Sequence, residues 1–191
     1  MQIPRTRAAR ARLLMPLRVA LLTLIAITLV IGGGRADERR PLLGPRIVYV
    51  LRHVEKAAEP KEDPGLTEAG RARALALART LGQAGVEAIF VTNTVRSKES
   101  AAPLADSLGL VPVVYGADDP YGGAQHVIES RARVAVIFGH SDTVAPIIEG
   151  LGVQPMPDLG GIAYDDLFVV AIAADGKASV SRQKYGAQVE P

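Results

Sequence analysis

The chain has 191 residues, 48% of them hydrophobic and 22% charged, which is typical of a folded protein with its own core and argues against disorder and coiled coils. It contains no cysteine, which excludes disulfide frameworks, thiolate zinc sites, a thiol nucleophile and a lipidated cysteine. The net charge of +2 is unevenly spread, because the residues from Asp37 onward carry 16 Lys and Arg against all 20 Asp and Glu. The body of the chain is therefore acidic, and no nucleic-acid partner is expected.

Residues 1–36 have the pattern of an export segment. Residues 1–18 contain five arginines and no acid, and the apolar run 19–31 follows them. This run is shorter than the roughly 20 residues that cross a bilayer comfortably, and Gly34 and Ala36 supply small residues for a signal peptidase. We predict a signal peptide cleaved after Ala36, with an uncleaved membrane anchor as the alternative. In both cases the arginines orient the body of the protein into the periplasm or another extracytoplasmic space.

Strand and helix signals alternate from residue 46 onward. The apolar run 47–51 predicts a strand buried on both faces. Thr67 is a suitable N-cap for a helix over 68–83 with Ala72, Leu75 and Ala76 on an apolar face that continues to Leu81. Further strands are predicted at 88–91, 110–115 and 134–138, and further helices at 96–108, 121–131 and 142–151. Segments 167–172 and 178–183, with a turn at 174–177, predict an antiparallel hairpin.

This order of elements predicts an α/β fold. We expect a three-layer α/β/α sandwich whose sheet is mostly parallel and ends in a C-terminal antiparallel hairpin. Residues 37–45 are predicted to be a linker, residues 46–186 a single domain, and residues 187–191 a tail.

Polar residues follow each predicted parallel strand at its carboxyl end, which is where open α/β sheets bind ligands. In strand order these are Arg52 and His53, then Arg96, then Asp118 and Asp119, then His140 and Ser141. Two histidines, two arginines and a carboxylate at one edge predict a site for a phosphoryl group. The donor fork of arginine fits phosphate oxygens, and a neutral imidazole can attack phosphorus.

Other enzyme chemistries lack their motifs. The histidines His53, His126 and His140 show no His-x-x-x-His spacing, and the acids form no series of metal ligands. Neither a Gly-x-Ser-x-Gly elbow nor a P-loop occurs. We expect His126, on a predicted helix, to be structural.

Four segments resemble those of the histidine phosphatase superfamily, the phosphoglycerate mutase-like group, in its short single-domain form. Segment 50–56 is similar to its Arg-His-Gly signature and segment 66–70 to its Leu-Thr-x-x-Gly helix start. Segment 91–101 resembles the part that carries the second arginine, and segment 138–143 matches Gly-His-Ser-x-Thr. The resemblance covers about residues 46–152 and continues weakly through residues 164–168.

The resemblance implies a mechanism without metal or cofactor. His53 would be the nucleophile and form a phosphohistidine that water hydrolyses, while Arg52, Arg96 and His140 would bind the phosphoryl oxygens. Two positions depart from the family. Val54 stands in place of the usual glycine, where we expect it to crowd the loop beside the nucleophile, and Thr92 stands where serine pairs are common.

The proton donor for the leaving group has three candidates. The family commonly supplies an acid from the loop after the third strand, where Asp118 and Asp119 are equal candidates. Asp119 precedes Pro120 and is also a natural helix N-cap. Glu55, beside the nucleophile, is the third and could instead orient Lys56 or an arginine.

For several other polar and aromatic residues the sequence predicts a supporting or structural position. Ser141 and Thr92 are expected next to the phosphoryl group's ligands. Asp165 and Asp166 are expected to cap structure before a strand, and Tyr164 and Phe168 to lie in the core or at its rim.

The sequence therefore predicts an exported, metal-independent phosphatase acting on phosphate monoesters. The alternatives are a non-catalytic envelope protein that binds an anionic phosphorylated ligand and a phosphotransferase of the phosphoglycerate mutase type. The expected partner is a phosphorylated small molecule or an envelope phosphate ester, with membrane contact only through an uncleaved N-terminal segment. Short connections between residues 109 and 133 predict an open cleft.

Overall fold

The computed structural model describes residues 44–188, all of which belong to the unit Pro41–Pro191. The predicted export segment 1–36, the linker up to residue 43 and tail residues 189–191 lie outside the described residues. A search of residues 44–188 finds no helix with the length and apolar character needed to span a bilayer.

Six strands and four helices alternate along the described chain. The strands are β1 (Arg46–Arg52), β2 (Ala88–Thr92), β3 (Val113–Tyr115), β4 (Val134–Gly139), β5 (Asp166–Ile172) and β6 (Ala178–Lys184). The helices are α1 (Glu68–Leu81), α2 (Val95–Leu108), α3 (Pro120–Ser130) and α4 (Val144–Gly150). The predicted elements are all present, with ends that differ by a few residues.

All six strands form one sheet in the order β3-β2-β4-β1-β5-β6. Strands β1 to β4 pair in parallel, while β5 runs antiparallel to both β1 and β6. Helices α3 and α4 pack on one face, against Val48, Val50 and Ile137, and α1 and α2 pack on the other, against Leu51 and Phe138. The predicted three-layer α/β/α sandwich with a mostly parallel sheet and a terminal hairpin is confirmed.

The third strand is shorter than the predicted 110–115. Gly109 ends α2 in the left-handed conformation, and the Leu110 amide still donates to the Ala105 carbonyl at 3.0 Å. Pro112 has no amide hydrogen to contribute to a strand ladder. Strand pairing therefore begins only at Val113.

The buried face of α1 also differs from the prediction. Leu81 is buried as predicted, but Ala72 is exposed and Leu75 is 52% exposed. The rest of the buried face consists of Gly70, Arg73, Ala74 and Leu77. Alanines on every side of this helix give little periodic signal. Its orientation is set by the two larger leucines, which pack on the sheet, and by the ion pair of Arg73 with Glu55.

The topology brings five chain segments to one edge of the sheet. The carboxyl ends of the four parallel strands meet there. Because β5 is antiparallel to β1, its first residue lies at the same edge, so the loop before β5 also reaches this place.

Candidate active site

The pairing of β1 with β4 brings the two motif histidines together. Arg52 is the register partner of Gly139, and the next amide, that of His53, donates to the Gly139 carbonyl at 3.0 Å. The rings of His53 and His140 consequently lie with their centroids 5.2 Å apart.

These strand ends surround an open cavity of about 630 Å³. Its lining includes most of the residues that the sequence predicted for a phosphoryl site, namely Arg52, His53, Arg96, Asp118, His140 and Ser141. Lys56 and Asp142 line it as well. Asp119, Glu55 and Thr92 are not among its lining residues.

The hydrogen bonding of His53 defines which ring nitrogen is free. The side chain is only 3% exposed, and its Nδ1 lies 2.8 Å from the Val54 carbonyl oxygen. Because a carbonyl only accepts, Nδ1 must carry the proton, which leaves the lone pair on Nε2. Burial lowers the pKa of His53 to about 4, and the positive charges of Arg52 and Arg96 act in the same direction. The ring is therefore neutral and nucleophilic at neutral pH.

His140 is held by its backbone while its ring faces the cavity. Its amide donates to Thr143 Oγ1 at 2.7 Å. Burial lowers the pKa of its imidazole, with Arg96 adding to the effect. Both ring nitrogens are buried without a hydrogen-bond partner among residues 44–188, and the same holds for Nε of Arg52 and of Arg96. Buried polar atoms normally have partners, so two such guanidinium N–H groups and a histidine ring around one cavity are a feature of an anion-binding site.

Arg52 is fixed by the loop that precedes β5. Its guanidinium donates to the Ile162 carbonyl and to the Tyr164 hydroxyl, both at 3.2 Å, and lies 4.2 Å from the centroid of the Tyr164 ring. These contacts hold the planar group in one orientation against an aromatic face.

The same loop is held in turn by the terminal hairpin. Arg182 donates to the Leu159 and Gly161 carbonyls at 2.8 and 2.9 Å and pairs with the buried Asp166. Burial alone would raise the pKa of Asp166, but hydrogen bonds from Arg182 and Lys184 outweigh it and lower that pKa. Asp166 also accepts from the Ala163 amide, so this carboxylate organises the loop before its strand, as expected for a capping residue.

Arg96 lies in the first turn of α2, next to a carboxylate from another loop. Thr94 caps the helix by accepting from the Ser97 amide. Asp63 accepts from the Val95 amide at 3.0 Å and lies 3.4 Å from the Arg96 guanidinium. The cap and this carboxylate together position the second arginine.

Ser100 joins the nucleophile's loop to the helix of the second arginine. Its hydroxyl accepts from the Val54 amide at 3.0 Å and donates to the Arg96 carbonyl at 2.6 Å. On the other side, Thr67 donates to the Glu55 carbonyl, and a Cβ at Gly70 would overlap that carbonyl. The helix start of the Leu-Thr-x-x-Gly motif therefore packs directly on the segment after His53.

Val54 and Thr92 do not intrude on the cavity. The Val54 side chain is buried against Leu66 and Ala74, so the expectation that it crowds the loop beside the nucleophile is not met. Thr92 is fully buried, and its hydroxyl bonds to that of Thr94 at 2.9 Å. Both departures from the family pattern are accommodated within the scaffold.

The three acid candidates have different surroundings. Asp119 caps α3, where its carboxylate accepts from the Gly122 amide at 2.8 Å. Glu55 is paired with Arg73 at 2.7 Å. Asp118 lines the cavity beside His53 and Arg96.

Sequence reasoning assigned no role in the site to Tyr164, Asp63, Ser100 or Thr143. Thr143 and Ser100 fall within the recognised motif segments, so their position was a usable signal. Tyr164 and Asp63 lie in loops whose return to this edge depends on distant strand pairing. Tyr164 falls in the weak continuation of the resemblance, which did not indicate a role in the site, and nothing local marks Asp63. Among residues 44–188, no group of three or more His, Asp or Glu side chains is arranged to hold a metal ion.

Comparison with known proteins identifies a family match. Residues 48–118 match the family model of the histidine phosphatase superfamily (branch 1). A PE-PGRS family protein of Mycobacterium tuberculosis is 30% identical over 127 residues, which cover 62% of this chain and 21% of that protein. The chain therefore spans about a fifth of the length of this curated relative.

Solved structures share the fold at low sequence identity. A putative phosphohistidine phosphatase from Nakamurella multipartitia has a TM-score of 0.56 and 19% identity, with 75% of this chain and 98% of the other covered. A mycobacterial glucosyl-3-phosphoglycerate phosphatase has a TM-score of 0.58 and 16% identity, with 74% and 100% covered. The architecture described above is thus an established one.

Stability should depend on pH through His53. Its pKa is lowered from 6.5 to about 4 in the folded chain, so between these values the unfolded chain binds a proton that the folded chain does not. The free energy of unfolding should therefore fall as the pH falls from 6.5 to 4, by about 3 kcal/mol from this group. Urea unfolding of the full chain at pH 7 and pH 4 measures this loss of unfolding free energy. His53→Gln lacks the titrating imidazole, so its loss should be smaller than that of the wild type by about 3 kcal/mol. An equal loss in both proteins would contradict the buried neutral state of His53.

Proposed function

We propose that this chain, whose residues 48–118 match the family model of the histidine phosphatase superfamily, hydrolyses phosphate monoesters through a phosphohistidine on His53. One observation carries the proposal. The buried, neutral His53 has its Nδ1 bound to a carbonyl and its Nε2 free, in a cavity that also contains two arginines and a second neutral histidine.

In the first step Nε2 of His53 attacks phosphorus as the bond from phosphorus to the leaving oxygen breaks. The hydrogen bond from Nδ1 to the Val54 carbonyl stabilises the positive charge that develops on the ring. The leaving oxygen takes a proton, for which Asp118 is the donor that we propose. It lines the cavity, whereas the carboxylates of Asp119 and Glu55 are engaged by a helix amide and by an arginine.

In the second step water attacks the phosphorus of the phosphohistidine. The carboxylate of Asp118 accepts a proton from this water, the phosphorus–nitrogen bond breaks, and its electron pair returns to Nε2. Inorganic phosphate leaves and the neutral histidine is restored, so the cycle needs no metal ion or organic cofactor in this proposal.

Arg52, Arg96 and His140 would stabilise the charge on the oxygens of the transferred group. Their buried donors are already oriented before substrate arrives, so little reorganisation is needed in the transition state. The Ile162 carbonyl and the Tyr164 ring hold Arg52 in one orientation, which contributes to this preorganisation. A bound dianion would also raise the proton affinity of His140, which favours donation of a hydrogen bond from its ring to a phosphoryl oxygen.

The two structural neighbours support phosphatase chemistry without selecting a substrate. One is a putative phosphohistidine phosphatase and the other a glucosyl-3-phosphoglycerate phosphatase. The shared fold is therefore compatible with leaving groups of different size, and it supports hydrolysis of a phosphorylated compound as the activity of this chain.

We further propose that the enzyme acts outside the cytoplasm on a phosphorylated small molecule or an envelope phosphate ester. The support is the sequence of residues 1–36, with its five arginines before an apolar run. An N-terminal sequence of the mature protein that starts at Asp37 would agree with cleavage after Ala36, and one that starts at Met1 would favour the anchor.

The phosphoenzyme should be trapped on His53. Full-length protein is mixed with phenyl phosphate labelled with ³²P and quenched after milliseconds in alkaline detergent, because a phosphorus–nitrogen bond is labile in acid. We expect label on the peptide that contains His53, and loss of both label and turnover in His53→Ala. His126→Ala changes an exposed histidine of α3 and should label like the wild type.

Two results would contradict the proposal. Turnover that survives in His53→Ala would exclude His53 as the nucleophile. Phosphate binding by the wild type without any label or turnover would favour a non-catalytic binding protein.

The effect of replacing the proton donor should depend on how readily the leaving group departs without a proton. Asp118→Asn should slow release of phenol, a poor leaving group, by about 10²-fold or more. It should slow hydrolysis of acetyl phosphate much less, because acetate leaves without a proton. Asp119→Asn is the matched control and should weaken only the α3 cap, with both substrates affected equally. Equal effects of Asp118→Asn on both substrates would contradict its role as donor.

A further inference from the structure

A second cavity adjoins the phosphoryl cavity. Its volume is about 450 Å³, and Ser141 lines both cavities. Ile162 lines the second cavity, while its carbonyl accepts a hydrogen bond from Arg52, which lines the first. A molecule with its phosphate among the arginines can therefore extend into the second cavity past Ser141 and Ile162.

The walls of the second cavity are mainly apolar. Ala145 and Pro146 of α4 form one side, and Met156, Leu159 and Ile162 of the loop before β5 form the other. These last three side chains are partly buried and pack against the hydrophobic core. Arg182 holds the Leu159 and Gly161 carbonyls, so the loop wall is supported from behind by the hairpin.

The charge of the second cavity is opposite to that of the first. Glu149 and Asp158 line it, and its lining residues within the described chain include no Lys or Arg. The first cavity, by contrast, has three cationic side chains, those of Arg52, Arg96 and Lys56, against the two carboxylates of Asp118 and Asp142. An anionic group would be attracted to the first cavity and repelled from the second.

The loop of the proposed acid lies on the same side of the sheet as the second cavity. Tyr121 follows Asp118 by three residues, and its hydroxyl donates to Glu149 at 2.6 Å. Helices α3 and α4 share one hydrophobic cluster on this face. A leaving group in the second cavity would thus depart on the side from which its oxygen receives a proton.

We propose that the second cavity binds the leaving group of the substrate, and that the substrate is the phosphate monoester of an apolar alcohol or phenol that carries an ammonium group. This inference rests on the proposed function for the place of the phosphate. Phosphate binds among Arg52, Arg96 and His140, the hydrocarbon part lies between α4 and the loop 156–162, and the ammonium group lies near Glu149 and Asp158.

Three phenyl phosphates test the inference. They carry aminomethyl, hydroxymethyl or carboxymethyl at the para position, so their charge differs at the far end while the basicity of the leaving oxygen is similar. Their affinities are measured by calorimetry on full-length His53→Gln, which does not turn over, and their kcat/KM values on the wild type. The first readout does not depend on catalysis.

Glu149 and Asp158 are exposed at the rim of the cavity, so we expect the aminomethyl compound to bind about tenfold more tightly than the carboxymethyl compound and not more. The double variant Glu149→Gln/Asp158→Asn should bring this ratio close to one. The matched double variant Asp106→Asn/Glu129→Gln changes exposed carboxylates elsewhere and should keep the wild-type ratio.

Equal affinities, tighter binding of the carboxymethyl compound, or no binding of any of the three would overturn the subsite. A preserved ratio without hydrolysis by the wild type would overturn the proposed function and leave the subsite standing. An unchanged ratio in Glu149→Gln/Asp158→Asn would show that these two carboxylates are not its cause.

Discussion

The hydrogen bond between the His53 amide and the Gly139 carbonyl is the contact on which the site depends most. It extends the β1–β4 ladder by one residue beyond the strands, and so it aligns the two histidine-bearing ends in register. A slip in this pairing by one residue would turn the side chains at the strand ends to the opposite face. The separation of 5.2 Å between the two rings is thus a consequence of sheet register, which the buried apolar residues of both strands enforce.

The two imidazoles are buried beside two guanidinium groups. A protonated ring there would lose hydration and be repelled by the arginines, so the neutral form is favoured. The lowered pKa of His53 expresses this preference, and it is also what gives the nucleophile its lone pair. Neutral rings alone would not orient the arginines. That role belongs to Tyr164 and the Ile162 carbonyl for Arg52, and to Asp63 and the cap of α2 for Arg96.

The local sequence pattern predicts the site residues that follow the parallel strands, but not those of the loop before the antiparallel strand β5. His53, Arg96 and His140 each follow a strand in sequence, so the rule for open α/β sheets applies to them directly. Tyr164 reaches the same edge only because β5 runs antiparallel to β1, a pairing that no local signal reveals. The alanines of α1 give no periodic contrast that would predict its buried face, and Pro112 shortens β3 because it has no amide hydrogen for the strand ladder.

A crystal structure of the full-length protein with orthovanadate tests the central claim most directly, since vanadate adopts the five-coordinate geometry of a transferring phosphoryl group. The account predicts a bond from Nε2 of His53 to vanadium, with the equatorial oxygens within hydrogen-bond distance of Arg52, Arg96 and His140. Vanadate bound elsewhere, or bound in the cavity with Nε2 of His53 turned away from it, would contradict the account.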